Sequence, residues 1–295
     1  MRIMVLAGLA LAVAAPVAAQ GHAHGPGQGA SVPSLTARAK AQIQELESAV
    51  AAYRTPELAR AAGFRPALGL IPTMGVHWVS AQRVRDGERF DLTKPDHLVF
   101  APVNGEQRLV GVAFAYRGAP GDARPAGFDG DLDTWHEHAF LAPAGQTLTM
   151  LHVWFVPSPD GAFAGHNPFL PYWAAGVEPP AEARLADPAE AKRIRTLALA
   201  LSETVDSVNL VQLSRRSSSL EAALAPHRAV IREQIPRLTD AVRSGDVAAW
   251  NAAADRANAE WQKIREIYLR AVPPARRTRL SEFFDEIIAG GHGSH

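Results

Sequence analysis

The chain has no cysteine among its 295 residues. That excludes disulfides, iron–sulfur clusters, covalently attached c-type haem and an anchor built on a lipidated cysteine. Charge of one sign is also missing. Thirty basic residues balance thirty acidic ones, and no basic stripe interleaves with aromatics, so nothing points to a nucleic-acid partner. There is no G-x-S-x-G, and no Gly-rich loop leads into a helix, so neither a serine nucleophile nor a nucleotide cofactor is announced. Beyond residue 19 no apolar run is long enough for an integral membrane span. What remains is 47% hydrophobic and 20% charged, the composition of a chain that folds around an ordinary core.

The first 19 residues have the order of an export signal. Arg2 supplies the positive start, Ile3 to Ala15 the apolar stretch, and Val17-Ala18-Ala19 the small residues before a cleavage point. Cleavage is expected near Ala19, before Gln20, giving a periplasmic or secreted protein that is soluble. Residues 20–33 carry His22 and His24 among glycines and read as a flexible leader, and residues 291–295 form a second tail with His292 and His295. Such tails bind metals weakly at most, and as solvated ends they need no further role.

The intervening chain is expected to be α+β in two parts. Residues 34–175 read as an N-terminal helix leading into a compact, mostly antiparallel β-sheet core, and residues 181–290 as a C-terminal helical bundle. Ser34 is a candidate cap for the first helix. Thr55-Pro56 opens a short second one that Gly63 ends. Strands are expected at Val76–Val79, His97–Ala101 and Arg108–Tyr116, the last two joined at Asn104-Gly105, a strong hairpin signal. The third is apolar almost throughout and should be central. Helices are expected over Pro188–Leu213, Ser219–Ser244, Asp246–Ala271 and Thr278–Ala289. Pro226 and Pro236 should start, kink or split the second of these. Trp250, Ala254, Ala257, Trp261, Ile264 and Tyr268 should form the buried stripe of the third. Arg215-Arg216 reads as part of a solvated connection.

Chemistry concentrates in Thr134-Trp135-His136-Glu137-His138 and Thr149-Met150-Leu151-His152-Val153-Trp154-Phe155, two strands with a turn at Pro143-Ala144-Gly145-Gln146. Alternation puts His136 and His138 on one face and Glu137 on the other. The expected register sets His136 opposite His152 and His138 opposite Met150, so that three imidazoles share a surface. This is how β-rich zinc and copper proteins present their ligands. Asp131, Asp133 and Glu137 are the candidate carboxylates behind those rings. Neither H-E-x-x-H nor the Glu of a cupin motif accompanies the histidines. His97, beside Asp96, and His227, in a helix, need no special role, whereas His166-Asn167-Pro168 lies in a turn able to return to the hairpin. Asp129, Asp131 and Asp133 share a Gly-rich loop but lack the closing Glu of an EF-hand.

Met74-Gly75-Val76-His77-Trp78, Pro95-Asp96-His97-Leu98-Val99-Phe100 and Leu109-Val110-Gly111-Val112-Ala113-Phe114 occur in that order. They are followed by Leu151-His152-Val153-Trp154, Pro159-Asp160-Gly161-Ala162-Phe163 and Asn167-Pro168. This series, with Tyr53 to Phe64 before it, resembles a family of secreted bacterial proteins without an assigned activity. The resemblance spans Ser34 to about Pro171. It implies export, a shared β core and a common site for His77 and His152, but no reaction. The expectation is therefore a metal-binding protein, for zinc or copper, with His136, His138 and His152 as ligands and His77 and His166 joining them. The alternative is a module whose Trp-rich β core binds a small molecule or a partner without metal.

Overall fold

A computed structural model describes residues 34–67, 69–71, 73–138, 142–143, 145–181, 183–201, 218–275, 277–278, 280–281 and 284. The signal segment, the leader, the Arg215-Arg216 connection, the His292/His295 tail and most of the Thr278–Ala289 helix lie outside the described residues. The protein is α+β, with a six-stranded antiparallel sheet and helices at both ends of the chain.

Helix α1 spans Ala37–Val50, and its cap is Thr36 rather than Ser34, with the Thr36 hydroxyl accepting from the Ala39 amide at 3.0 Å. Helix α2, Pro56–Ala61, starts as its sequence dictates, with Thr55 as cap and Pro at the first turn, and Gly63 follows it at φ +92°. Three strands then form an antiparallel run: β1 Phe64–Pro66, β2 Val76–Ser80 and β3 His97–Val103. The short helix α3, Ala81–Asp86, connects the last two. It is capped by the Ser80 hydroxyl and stopped by Gly87 in the left-handed region. Asn104 and Gly105, at φ +52° and +85°, make the tight turn into β4, Glu106–Gly118. Strands β5, His136–His138, and β6, Thr147–Trp154, complete the sheet in the order β1-β2-β3-β4-β6-β5. Strand β4 is buried from Val110 to Tyr116, as its apolar run requires.

The β3–β4 ladder contains a bulge. From the turn, Val103 pairs with Glu106 and Phe100 with Leu109, but Val99 pairs with Gly111, so Val110 is an extra residue on β4. Its carbonyl is not wasted, since it accepts from the Phe155 amide at 2.9 Å.

The two faces of the sheet differ in chemistry. One carries Trp78, Leu98, Phe100, Val112, Phe114, Leu151 and Val153, covered by Leu46 and Val50 of α1, Ala59 of α2, Phe128 and Phe163. The opposite face carries the histidines, together with Val99, Trp154, Ala113, Ala115 and Met150. Helix α4, Leu170–Ala174, sets Leu170 against Val99 and Trp154 on that side.

Helices α5, Pro188–Leu201, α6, Ser218–Ser244, and α7, Val247–Ala271, build a second core. Asp246 caps α7 by accepting from the Ala249 amide at 2.9 Å. Trp250, Ala254, Ala257, Trp261, Ile264 and Tyr268 are all buried, as their spacing demands. Pro226 and Pro236 neither start nor split α6: both lie inside one 27-residue helix. The apolar stripe of α6, with Leu220, Leu224, Ile231 and Leu238 buried, holds the helix against α5 and α7 through the two missing backbone donors. Among the described residues no helix is long and apolar enough to cross a membrane.

Candidate functional site: a buried histidine cluster

The β5–β6 register differs from expectation. His136 pairs with Met150, Glu137 with Thr149 and His138 with Leu148, each two residues along β6 from the expected partner. Among the described residues the pair nearest the turn is His138 with Leu148, and the turn is closed by the Gln146 amide on the Pro143 carbonyl at 3.0 Å. A displacement of two residues preserves side-chain parity, whereas one would have reversed it. His136, His138 and His152 therefore still share a face.

Two further strands deliver histidines to the same surface. His77 pairs with Val99 and His97 with Val79, so both project from the face that carries Val99. His97 then stands across Ala113, and Ala113 across His152. The bulge makes this possible. A regular ladder from the Asn104-Gly105 turn would set His97 opposite Val112 and send both β2 and β3 histidines to the Val112/Phe114 face of β4. His97 is the residue that sequence reasoning passed over. Its signal was the alternation His97, Val99, Ala101, but only knowledge of the bulge aligns that alternation with His152.

His166 comes from the loop after β6. The loop folds back as the Trp154 amide donates to the Ala162 carbonyl at 2.8 Å and the Trp154 indole N–H to the Ala164 carbonyl at 2.6 Å. Asn167, fully buried, bonds to the Pro157 carbonyl and receives the Phe169 amide. The adjacent His166 Nδ1 meets the Thr73 hydroxyl at 2.8 Å.

His152 is the centre of the cluster and is 0% exposed. Its Nε2 lies 2.9 Å from Nε2 of His77, a distance that requires one ring to donate its proton and the other to accept. Its ring stacks between those of His136, at 5.1 Å, and Trp154, at 5.6 Å. His77 makes an edge contact with His97 at 5.9 Å, and His136 one with His138 at 4.9 Å. His136 Nδ1 lies 3.0 Å from the Thr134 carbonyl, which can only accept. The ring therefore carries its proton on Nδ1 and presents a lone pair on Nε2.

Burial keeps His77, His97 and His152 neutral. It lowers His77 to about 3, assisted by the neighbouring His97 and His138, and lowers His97 to about 4. His152 is held well below the ordinary imidazole range by burial first and then by His136, His77, His138 and His166. The Nδ1 atoms of His97 and His152 are buried with no hydrogen-bond partner among the described residues. Each such atom costs about 1–3 kcal/mol of desolvation, so the cluster is a destabilising feature of the fold taken by itself.

The carboxylates are elsewhere. Glu137 points to the opposite side of β5, bound to Arg124 at 2.5 Å and to the Gly121 amide at 3.0 Å. Asp133 accepts from the Phe128 amide, and Asp129 from the Thr36 hydroxyl, so this acidic loop is tied to α1. His227 lies far along the chain in α6 and meets Glu260 of α7 at 2.5 Å, an interhelical contact outside the cluster. A groove of about 640 Å³ beside Arg237, Asp240 and Arg256 on the helices includes no histidine. Among the described residues no three His, Asp or Glu groups already stand in the geometry of a metal centre. Comparison with protein-family models, curated proteins and solved structures gives no match.

Proposed function

We propose that this is an exported protein that binds a transition metal ion, zinc or copper, through the histidine face of its sheet. The observation that carries the reading is the convergence of His77, His97, His136, His138, His152 and His166 from four strands and a loop, with neutral rings at its heart. Neutral imidazole is the form that coordinates metal. The 2.9 Å between Nε2 of His77 and Nε2 of His152 is what two ligands about 2.0–2.1 Å from one ion subtend at a right angle. Opening to the tetrahedral spacing needs about 0.4 Å more. For the outer imidazoles to reach such an ion their rings must turn about the ring torsion, which is broad and two-fold. His136 is already oriented, with the Thr134 carbonyl in the role for which Asp131, Asp133 and Glu137 were candidates.

The chain chemistry supports binding more directly than it supports a reaction. No general acid, nucleophile or anionic group joins the histidines among the described residues, so the reading stops at a metal-binding protein. The test is equilibrium binding of Zn(II) and copper to untagged protein with His22, His24, His292 and His295 replaced by Ala. One ion should bind stoichiometrically, and a further His136→Ala/His138→Ala/His152→Ala variant should lose it. Equal binding by both proteins would dismiss the metal reading and leave a Trp-rich module for a small molecule or partner.

A further inference from the structure

The histidine face carries one more donor. Met150 stands directly across from His136 in the β5–β6 ladder and two residues before His152 on β6. Alternation puts its thioether on the same face, and its side chain is buried beside Ala113 and Ala115. Those two alanines are its neighbours on β4, where Ala115 pairs with Met150 and Ala113 separates His97 from His152. Small side chains there leave the space above the sheet to the imidazoles and the thioether.

Charge narrows the choice of ion. The groups acting on His77 and His152 are other histidines, and burial alone acts on His97. Glu137 faces away with Arg124, and Asp133 is bound to the Phe128 amide. An ion at this site meets neutral donors and no anionic one among the described residues. The cost of moving an ion from water to a dry interior grows with the square of its charge, so a monovalent ion incurs about a quarter of the cost of a divalent ion of equal size. Carboxylates or thiolates ordinarily offset that cost; the chain has no cysteine, and no carboxylate joins the cluster among the described residues. Imidazole with thioether is a soft, uncharged set that selects copper in its lower oxidation state.

Resting on the reading of this cluster as a metal site, we propose that its ion is Cu(I) and that Met150 is one of the ligands. The chain offers a built-in control. Met74 is the one other methionine beyond the signal segment, and it precedes β2 rather than standing in the β5–β6 ladder.

The experiment is an anaerobic titration of the full chain, with its four tail histidines replaced, against Cu(I) in competition with a chromophoric Cu(I) chelator and against Zn(II) in competition with a zinc indicator. X-ray absorption of the Cu(I)-loaded protein reports the shell directly. Cu(I) should be held at least about 100-fold more tightly than Zn(II), with sulfur in its shell. Met150→Leu should weaken Cu(I) by about tenfold or more, remove the sulfur scatterer and leave Zn(II) affinity unchanged, whereas Met74→Leu should keep the sulfur. Zn(II) bound as tightly as Cu(I), a shell without sulfur in the unaltered chain, or sulfur lost only in Met74→Leu would overturn this inference and leave the histidine site standing. Neither ion binding better than to the His136/His138/His152 triple variant would overturn both.

Discussion

Acid should unfold this protein earlier than an ordinary carboxylate-stabilised fold, and the histidine face sets the size of the effect. In the unfolded chain a histidine takes up its proton near pH 6.5. In the folded protein burial lowers His77 to about 3 and His97 to about 4. Between those limits the unfolded state binds more protons, so stability falls as pH falls. The contribution is fully present above about pH 6.5 and drains away toward pH 4 for His97 and pH 3 for His77. From pH 7 to pH 5 each histidine costs about 2 kcal/mol, together about 4 kcal/mol. His152 adds to the loss in the same direction.

Asp96 acts against it. Its carboxylate is pushed up to about 6, chiefly by burial, so the folded protein takes up a proton there before the unfolded chain does. That returns about 1 kcal/mol over the same interval, leaving a net loss of about 3 kcal/mol before His152 is counted. Urea unfolding at pH 7 and pH 5, with a chelator present, measures the difference. His97→Leu should remove about 2 kcal/mol of that loss. Equal stabilities at the two pH values would refute the neutral, buried state of these rings.

Asp96→Asn keeps an acceptor for the Ala115 amide, now 3.0 Å from the carboxylate, while removing the buried charge. The variant should be at least as stable at pH 7 and should lose about 1 kcal/mol more than the parent between pH 7 and pH 5, measured by the same urea titrations. Gly75→Ala places a methyl 2.7 Å from the Phe100 carbonyl oxygen at φ +69°, so a loss of about 2 kcal/mol or more in thermal or urea unfolding is expected. Trp261→Ala empties a buried ring position on α7 and should cost about 3–5 kcal/mol; an unchanged melting temperature would show the stripe to be misassigned. Glu137→Gln, on the far side of β5 from the histidines, should leave metal affinity within about twofold by competition titration, and a larger loss would mean that Glu137 supports the cluster.

Features with local causes were legible in the sequence. Thr55-Pro56, Asp246 and Asn104-Gly105 each fix a cap or turn with their own atoms, and each stands where its chemistry required. The α7 stripe was equally readable, because one helix face decides it. Register was harder. The turn at Pro143–Gln146 does not fix the pairing that its sequence implies: the observed partners lie two residues away, and only parity keeps the three histidines together. Pro226 and Pro236 mislead for a related reason: local chemistry argues against helix, while packing on α5 and α7 decides for it.

The joining of the two halves of the cluster has a cause that no local pattern displays. Strand β3 is buried almost throughout, so hydrophobic alternation does not choose between its two registers on β4. Other contacts choose. Phe155 takes the Val110 carbonyl, which the bulge leaves out of the β3–β4 pairing. Gly111 lies so close to β6 that a Cβ would sit 2.5 Å from the Val153 carbonyl, which suits a residue without one at the bulge. Past the start of β3, the Asp96 carboxylate takes the Ala115 amide and extends the ladder by one bond. These contacts hold the bulged register, and with it the face on which His77 and His97 project. In the regular register both rings would face Val112, Phe114, Leu151 and Val153 in place of Trp78 and Phe100, with apolar side chains around their nitrogens. The bulge instead gathers the polar rings on one surface, where the rings of His77 and His152 hydrogen-bond to each other at 2.9 Å.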